Sequence, residues 1–284
     1  MPERAARVEP SGYVARVSGL VQQSTARLLR PAAHRRAAPA KRRLARQSIW
    51  LVAVGGVTIA VLMYWLDAYA ITLMPPRGSA SLWPVRVLTD FGKDAKVVGV
   101  LVVMLIAVAL ISPMVYGSLR LHLLRLGLTL EFFLAAVVVP LLAGELIKWA
   151  VGRGRPFVGG HANPFNFVPF AGTEAYASFP SAHAITSAAL AFAVSAAWPR
   201  ARGVMIIYVV VIAGTRLVLL AHHPSDVVGG ALIGLMGAMF VRYWFASRRL
   251  GFAIRHDGTI APLRLPSGTG IRPRKGVAHG ASTS

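Results

Sequence analysis

Long apolar runs alternate along the chain with short polar breaks, and six of the runs approach the length of a bilayer crossing. They fall at roughly 49–66, 97–116, 126–147, 182–198, 203–221 and 227–246, where a membrane helix takes about 20 residues. Only Pro199, Arg200, Ala201 and Arg202 separate the fourth run from the fifth. No alternation of period two marks a barrel, and no internal repeat is visible. The pattern predicts an all-α polytopic membrane protein, a six-transmembrane-helix bundle over 49–246. A basic, disordered tail is expected over 1–48 and a second basic tail over 247–284. Within the first tail, Val14, Val17, Val21 and Leu28 would share one side of a weakly amphipathic helix, although a solvated segment is the simpler expectation.

Composition strengthens the membrane reading. Of 284 residues, 55% are hydrophobic and 14% charged, against about 25% charged in soluble domains. The net charge is +21, and 18 of the 31 Lys and Arg lie in the two tails. Basic residues in short loops and flanks mark the cytoplasmic side. That rule places both termini, Arg120, Arg125, Arg200, Arg202 and Arg242 inside, and the segments near 67–96, 148–181 and 222–226 outside. The tails are expected to meet anionic lipid. Nucleic acid is not an expected partner, because Tyr13 and Phe252 are the only aromatics in the tails.

The chain has no Cys, which excludes disulfides, thiolate metal sites and a Cys nucleophile. Its ten acids are scattered, which argues against a two-metal carboxylate centre. Neither a metal nor a cofactor is expected.

Ionisable residues at the ends of membrane helices are functional candidates, and three clusters qualify. The first is Lys148-Trp-Ala-Val-Gly-Arg-Gly-Arg155-Pro156, the second Pro180-Ser181-Ala182-His183, and the third Thr215-Arg216, five residues, His222, three residues, Asp226. Singly, each has an ordinary explanation: headgroup anchoring for Lys148 and Arg155, an N-cap for Ser181, a helix start for Pro224 and Asp226. Topology makes them converge. The third run ends outside at Lys148, the fourth begins there at Ser181 and His183, the fifth ends near Arg216 and the sixth begins at Asp226.

Phosphoryl transfer suits this set. Lys148, Arg155 and Arg216 offer fixed positive charge to phosphate oxygens. The first turn of the fourth helix adds free backbone N–H groups, and Ser181 adds a hydroxyl. Two histidines can serve as nucleophile and proton donor, with Asp226 expected to hydrogen-bond one nitrogen of His222 and set its tautomer.

With the motifs in this order, the chain resembles the type-2 phosphatidic acid phosphatase superfamily, whose signature reads K-x6-R-P, P-S-G-H and S-R-x5-H-x3-D. Only Ala182, in place of glycine, and Thr215, in place of serine, depart from it. The resemblance spans about residues 95–246. It implies a metal-independent lipid phosphate phosphatase in which His222 is the nucleophile, Asp226 its orienting partner and His183 the general acid. Lys148, Arg155, Arg216, Ser181 and the amides of Ala182 and His183 are then expected to hold the phosphate. Three neighbours are expected just behind the phosphate ligands: Arg153, which could also reach a headgroup or second phosphate, Glu145 as a partner of Lys148, and His223 as a pocket wall. The aromatic stretch 157–179 is expected to be an interfacial belt or a lip for a lipid headgroup.

The implied substrate is a lipid phosphate or pyrophosphate monoester: polyprenyl pyrophosphate, phosphatidate, phosphatidylglycerophosphate or lipid A phosphate. It would be met at the outer face of a bacterial inner membrane. A lipid phosphotransferase with the same histidine site is the first alternative. A vanadate-dependent haloperoxidase fits poorly with six apolar runs. A transporter would gather its charges at the midplane, whereas here they gather at one end.

Overall fold

The computed structural model describes residues 12–32, 37–76, 78–160 and 162–263. Arg77 and the end of the second tail therefore lie outside the described residues. The chain is helical almost throughout: α1 Tyr13–Leu29, α2 Ala37–Val61, α3 Asp67–Thr72, α4 Trp83–Thr89, α5 Asp94–Ile111, α6 Gly117–Val151, α7 Ala182–Ala197, α8 Arg202–Val218 and α9 Pro224–Ser247. A single wide helical turn, Leu62–Leu66, joins α2 to α3. A two-stranded hairpin, β1 Phe252–Ile254 and β2 Ile260–Pro262, follows α9.

Among the described residues, five helical segments are long and apolar enough to cross a membrane: Ala37–Thr72, Asp94–Met114, Gly117–Val151, Pro199–Val218 and Pro224–Ser247. The fourth expected run is the shorter helix α7, of 16 residues, about 24 Å at 1.5 Å per residue. It packs against α6, α8 and α9, and Ile185, Ala189 and Ala193 have no exposed surface. Its neighbours, rather than lipid, cover most of it.

Between α7 and α9 the close contacts are backbone on backbone. A Cβ at Gly234 would come within 2.3 Å of the Ile185 carbonyl oxygen, and one at Gly230 within 2.5 Å of the Ser181 carbonyl oxygen. Small residues at this spacing let two membrane helices approach closely, and here they hold the start of α9 against the start of α7. At the other end, Phe132 meets Phe133, Phe245 and Phe252 with ring centroids 4.7–5.9 Å apart.

The tails carry structure. Residues 13–29 form a helix, one of the two readings that the sequence left open, and none of its residues is buried. It is held by polar contacts: Tyr13 Oη donates to the Leu110 carbonyl at 2.8 Å, Ser24 meets Glu131, and Trp244 Nε1 donates to the Leu28 carbonyl at 3.2 Å. Leu28 packs on the core, while Val14 and Val21 stay exposed. The second tail begins with the hairpin, which buries Phe252 and Ile254.

Candidate functional site

The three motifs meet where α6, α8 and the loop after α6 approach the starts of α7 and α9. Gly152 ends α6 in the left-handed conformation (φ 56°), its N–H bonded to the Lys148 carbonyl. A Cβ there would also strike the Val168 carbonyl oxygen at 1.8 Å, so glycine is required on both counts. The loop then folds back on itself, Val168 N–H to the Gly152 carbonyl at 2.7 Å and Gly154 N–H to the Asn166 carbonyl at 2.8 Å. This turn delivers Arg153 inward and Arg155 toward the site.

Arg153 is 1% exposed, which corrects the expectation that it touches a headgroup or second phosphate. All five of its N–H groups are used. Nη1 reaches Asp226 Oδ1 at 2.5 Å and Ser225 Oγ at 2.6 Å. Nη2 reaches Asp67 Oδ2 at 2.8 Å and the Pro164 carbonyl at 2.8 Å, and Nε reaches the same carbonyl at 3.0 Å. Asp67, on α3, also accepts from the Ser225 amide at 3.0 Å and from the Ser225 hydroxyl. One guanidinium thus ties α3, the loop and the start of α9 together, with no donor left for a ligand.

His223 is the N-cap of α9. Asp226 Oδ2 accepts from its amide at 2.8 Å and lies 3.1 Å from its Nδ1. The residue expected as a pocket wall is a fully buried cap.

His222 lies in the turn between α8 and α9. The expected direct hydrogen bond to Asp226 is not formed, because His222 Nδ1 and Asp226 Oδ2 are 3.9 Å apart, beyond hydrogen-bond range. The Ser178 carbonyl takes that place, 2.7 Å from Nδ1. A carbonyl can only accept, so Nδ1 carries the proton and Nε2 keeps its lone pair. Asp226 acts one step removed, accepting the Ser178 hydroxyl at 2.6 Å. Burial, above all, and then the nearby Arg216 and Arg155 push the His222 imidazole down to about 3, against the opposing pull of Asp226 and the Ser178 carbonyl. The ring is neutral at physiological pH.

Arg216 and Arg155 form the cationic side of the site. Arg216 Nη1 donates to Thr89 Oγ1 at 2.9 Å, and Arg155 Nη2 to Glu174 at 2.7 Å. The Nε of each has no partner among the described residues. Arg216 is close enough to act through space on both histidines, and Arg155 on Arg216 and His222. Ser181 is fully buried, with a hydroxyl that has no partner among the described residues. Its amide is committed to the Asp226 carbonyl at 3.1 Å. The first bond within α7 runs from the Ile185 amide to the Ser181 carbonyl at 3.0 Å, so the Ala182 and His183 amides precede the helical ladder and lie on its positive end. Around the His183 ring the charged neighbours are Arg216, Asp94, Lys93 and Asp90.

Lys148 stands apart. Its ammonium engages Glu145 on the same helix, as the spacing suggests, and it is not among the groups that act on His183, Arg216 or His222. Sequence reading also missed Asp67, Thr89, Ser178 and Ser225. Asp67 had one visible signal, an acid directly after an apolar run. Ser178 acts partly through its carbonyl, which no side-chain pattern announces. The aromatic loop partly packs down: Phe165 on Tyr64 at 5.0 Å, Phe170 on Trp149 at 4.6 Å, and Phe167 5.8 Å from the Arg153 guanidinium.

Residues 128–250 match the PAP2 superfamily model, a stretch that contains all three motifs. Over 129 residues, 45% of this chain and 53% of the relative, it is 36% identical to a lipid A 1-phosphatase of Rhizobium johnstonii. Over 134 residues, 47% of this chain and 58% of the relative, it is 34% identical to a lipid A 1-phosphatase of Rhizobium etli. The chain thus spans a little over half the length of these curated relatives. No solved structure matches it. Through residues 128–250, with their ordered motifs and the site those motifs build, the chain is similar to the PAP2 superfamily.

Proposed function

We propose that the chain is a lipid phosphate phosphatase that works through a phosphohistidine on His222. The observation that carries this reading is the His222 Nδ1–Ser178 carbonyl bond, 2.7 Å long. It leaves Nε2 as a neutral, buried nucleophile beside two arginines. In the first step Nε2 attacks phosphorus, the P–O bond to the lipid breaks, and His183 gives its proton to the leaving oxygen. Arg155, Arg216, the Ser181 hydroxyl and the Ala182 and His183 amides hold the phosphoryl oxygens, where charge builds. A phosphate dianion favours the protonated form of His183 before this step. In the second step His183 takes a proton from water, water attacks phosphorus, and the P–N bond breaks to restore neutral His222. Asp226 positions Ser178 and the cap of α9. Lys148 becomes a phosphate ligand only by leaving Glu145.

In this reading α7 counts as a sixth span, both termini lie in the cytoplasm, and the site faces the periplasm. The clustering of basic residues at the opposite ends of the helices supports that direction. A groove of about 450 Å³ lined by Val87, Phe91, Val97, Val100, Leu101 and Leu190 suits an acyl chain. Leu190 lies seven residues beyond His183 on α7, about 10 Å deeper by helical rise. The two relatives are named for the 1-phosphate of lipid A, which makes a glycolipid phosphate monoester the first substrate to test. Transfer to an alcohol acceptor in place of water is the second reading of the same site. The test is phosphate release by purified protein from a panel of lipid A, phosphatidate, phosphatidylglycerophosphate and polyprenyl pyrophosphate, with glycerol as an added acceptor. Release from none of them contradicts the proposal.

A further inference from the structure

A second cationic cavity lies at the other end of the bundle. Arg242 follows Asp226 by 16 residues on α9, which is about 24 Å along the helix. There a cavity of about 210 Å³ opens between the start of α2, the end of α9 and the hairpin. It is lined by Arg43, Gln47, Met239, Arg242 and Thr259. Its volume is that of about seven waters in the liquid, enough for a phosphate group with part of its hydration.

The charges there are unbalanced. Arg242 lies close enough to Arg43 and Arg202 to feel both through space. Among the described residues no carboxylate comes within ion-pair distance of any of the three. Asp257, in the hairpin turn, lies within reach of the Arg43 charge. Asp257 already accepts from the Thr259 amide at 3.0 Å and hydroxyl at 2.7 Å. The Arg242 guanidinium sits 4.7 Å from the Phe192 ring centroid, and its Nε has no partner among the described residues. Like charges gathered in a partly buried cleft repel one another unless an anion joins them. A planar guanidinium with an unpaired N–H suits phosphate oxygens.

We infer that this cavity binds a phosphate group, separately from the His222 site, through Arg43 and Arg242. In the proposed orientation it faces the inner leaflet, so the phosphate of an anionic phospholipid is one source and free phosphate is the other. Either would join Arg43 of α2 to Arg242 of α9, the two like charges that line the cavity.

The absence of cysteine permits a clean test on the full chain. Gln47→Cys places one thiol at the cavity, and its rate of labelling by a maleimide is measured in detergent. The probes are phosphatidylglycerol, inorganic phosphate, and diacylglycerol as an uncharged control. At ten times its dissociation constant a ligand slows labelling by about tenfold, from 1 + [L]/Kd. Slowing by phosphatidylglycerol alone assigns the site to a lipid headgroup, and slowing by millimolar phosphate assigns it to the free anion. Arg43→Gln with Arg242→Gln should abolish the protection and leave hydrolysis of p-nitrophenyl phosphate unchanged, which also shows that the variant folds. The inference is overturned if neither phosphate probe protects, if diacylglycerol protects equally, or if protection survives loss of both arginines. The protection measurement on Gln47→Cys needs no arginine change, so a variant that misfolds does not remove the test. Because the cavity is remote from His222, loss of all phosphatase activity would leave this result standing.

Discussion

His222 is oriented by a backbone carbonyl, with Ser178 standing between it and Asp226. The Ser178 oxygen accepts from His222 Nδ1 at 2.7 Å, while the Ser178 hydroxyl donates to Asp226 at 2.6 Å. Ser178→Ala keeps the carbonyl and removes the tether. The expected result is a fall in kcat of about tenfold, the scale of one lost hydrogen bond to a charged group, with KM nearly unchanged. Asp226→Asn should cost more, since it also weakens the α9 cap and the Arg153 pair. Steady-state kinetics on both variants checks the order.

The buried position of His222 has a pH signature. Its folded value of about 3 lies below the ordinary value of 6.5. Between those values the unfolded chain binds a proton that the folded chain does not, so stability falls as pH drops from about 6.5 toward 3. His222→Gln should flatten part of that slope in melting measurements from pH 7 to pH 5. His222, the proposed nucleophile, stays neutral from pH 5 to pH 8. Single-turnover phosphoenzyme formation should therefore show no titration assignable to His222 in that range.

Arg153 is a test of structure against sequence. Buried between Asp67 and Asp226 with every N–H used, it has no means of touching substrate. Arg153→Met leaves two buried carboxylates without their cation, and breaking a buried pair costs about 3–5 kcal/mol. The expected outcome is loss of folded protein in size-exclusion and melting assays. Any folded fraction should keep its KM for a phosphate ester. A normal melting curve with a raised KM would place Arg153 in contact with substrate.

Much of this was legible because membrane helices and ordered motifs leave strong traces. The apolar runs located the spanning helices to within several residues, apart from α2 and α6, which extend well beyond their runs into polar sequence. Periodicity gave α1 only as one of two readings and did not reveal the hairpin, because α1 is held by scattered tertiary contacts such as Ser24 with Glu131. At the site, motif order brought Arg155, Ser181, His183, Arg216 and His222 to one place. The pairings inside it were not legible. Asp226 sits i+4 from His222 and i+3 from His223, and spacing alone does not say which ring it meets. The partner of Arg153 is Asp67, 86 residues away, a distance that no local pattern encodes.

Glu174 is 91% exposed at its side chain where it meets Arg155. Surface ion pairs of this kind contribute about 0–1 kcal/mol. Glu174→Gln should therefore free Arg155 for phosphate and lower KM by up to about fivefold, with kcat little changed. Inhibition by inorganic phosphate, which uses the same arginine, should strengthen by the same factor.

The proposed acyl-chain groove should distinguish lipid from soluble substrates. Leu190→Trp should fill part of the 450 Å³ beside α7 and raise KM for a lipid phosphate. Hydrolysis of p-nitrophenyl phosphate should change little. Equal effects on both substrates would place the lipid chain elsewhere.

The most direct test of the account is acid-labile labelling of the protein by a radioactive phosphate ester, quenched in the first turnover. With His222→Ala no label should form, because the nucleophile is gone. With His183→Ala label should still form from a nitrophenyl ester, whose leaving group needs no proton, and should persist because water lacks its base. The same variant should lose about 10²–10⁴-fold in rate on a lipid alkoxide, the usual scale of general acid catalysis. Label retained in His222→Ala, or equal losses on both leaving groups in His183→Ala, would contradict the phosphohistidine mechanism.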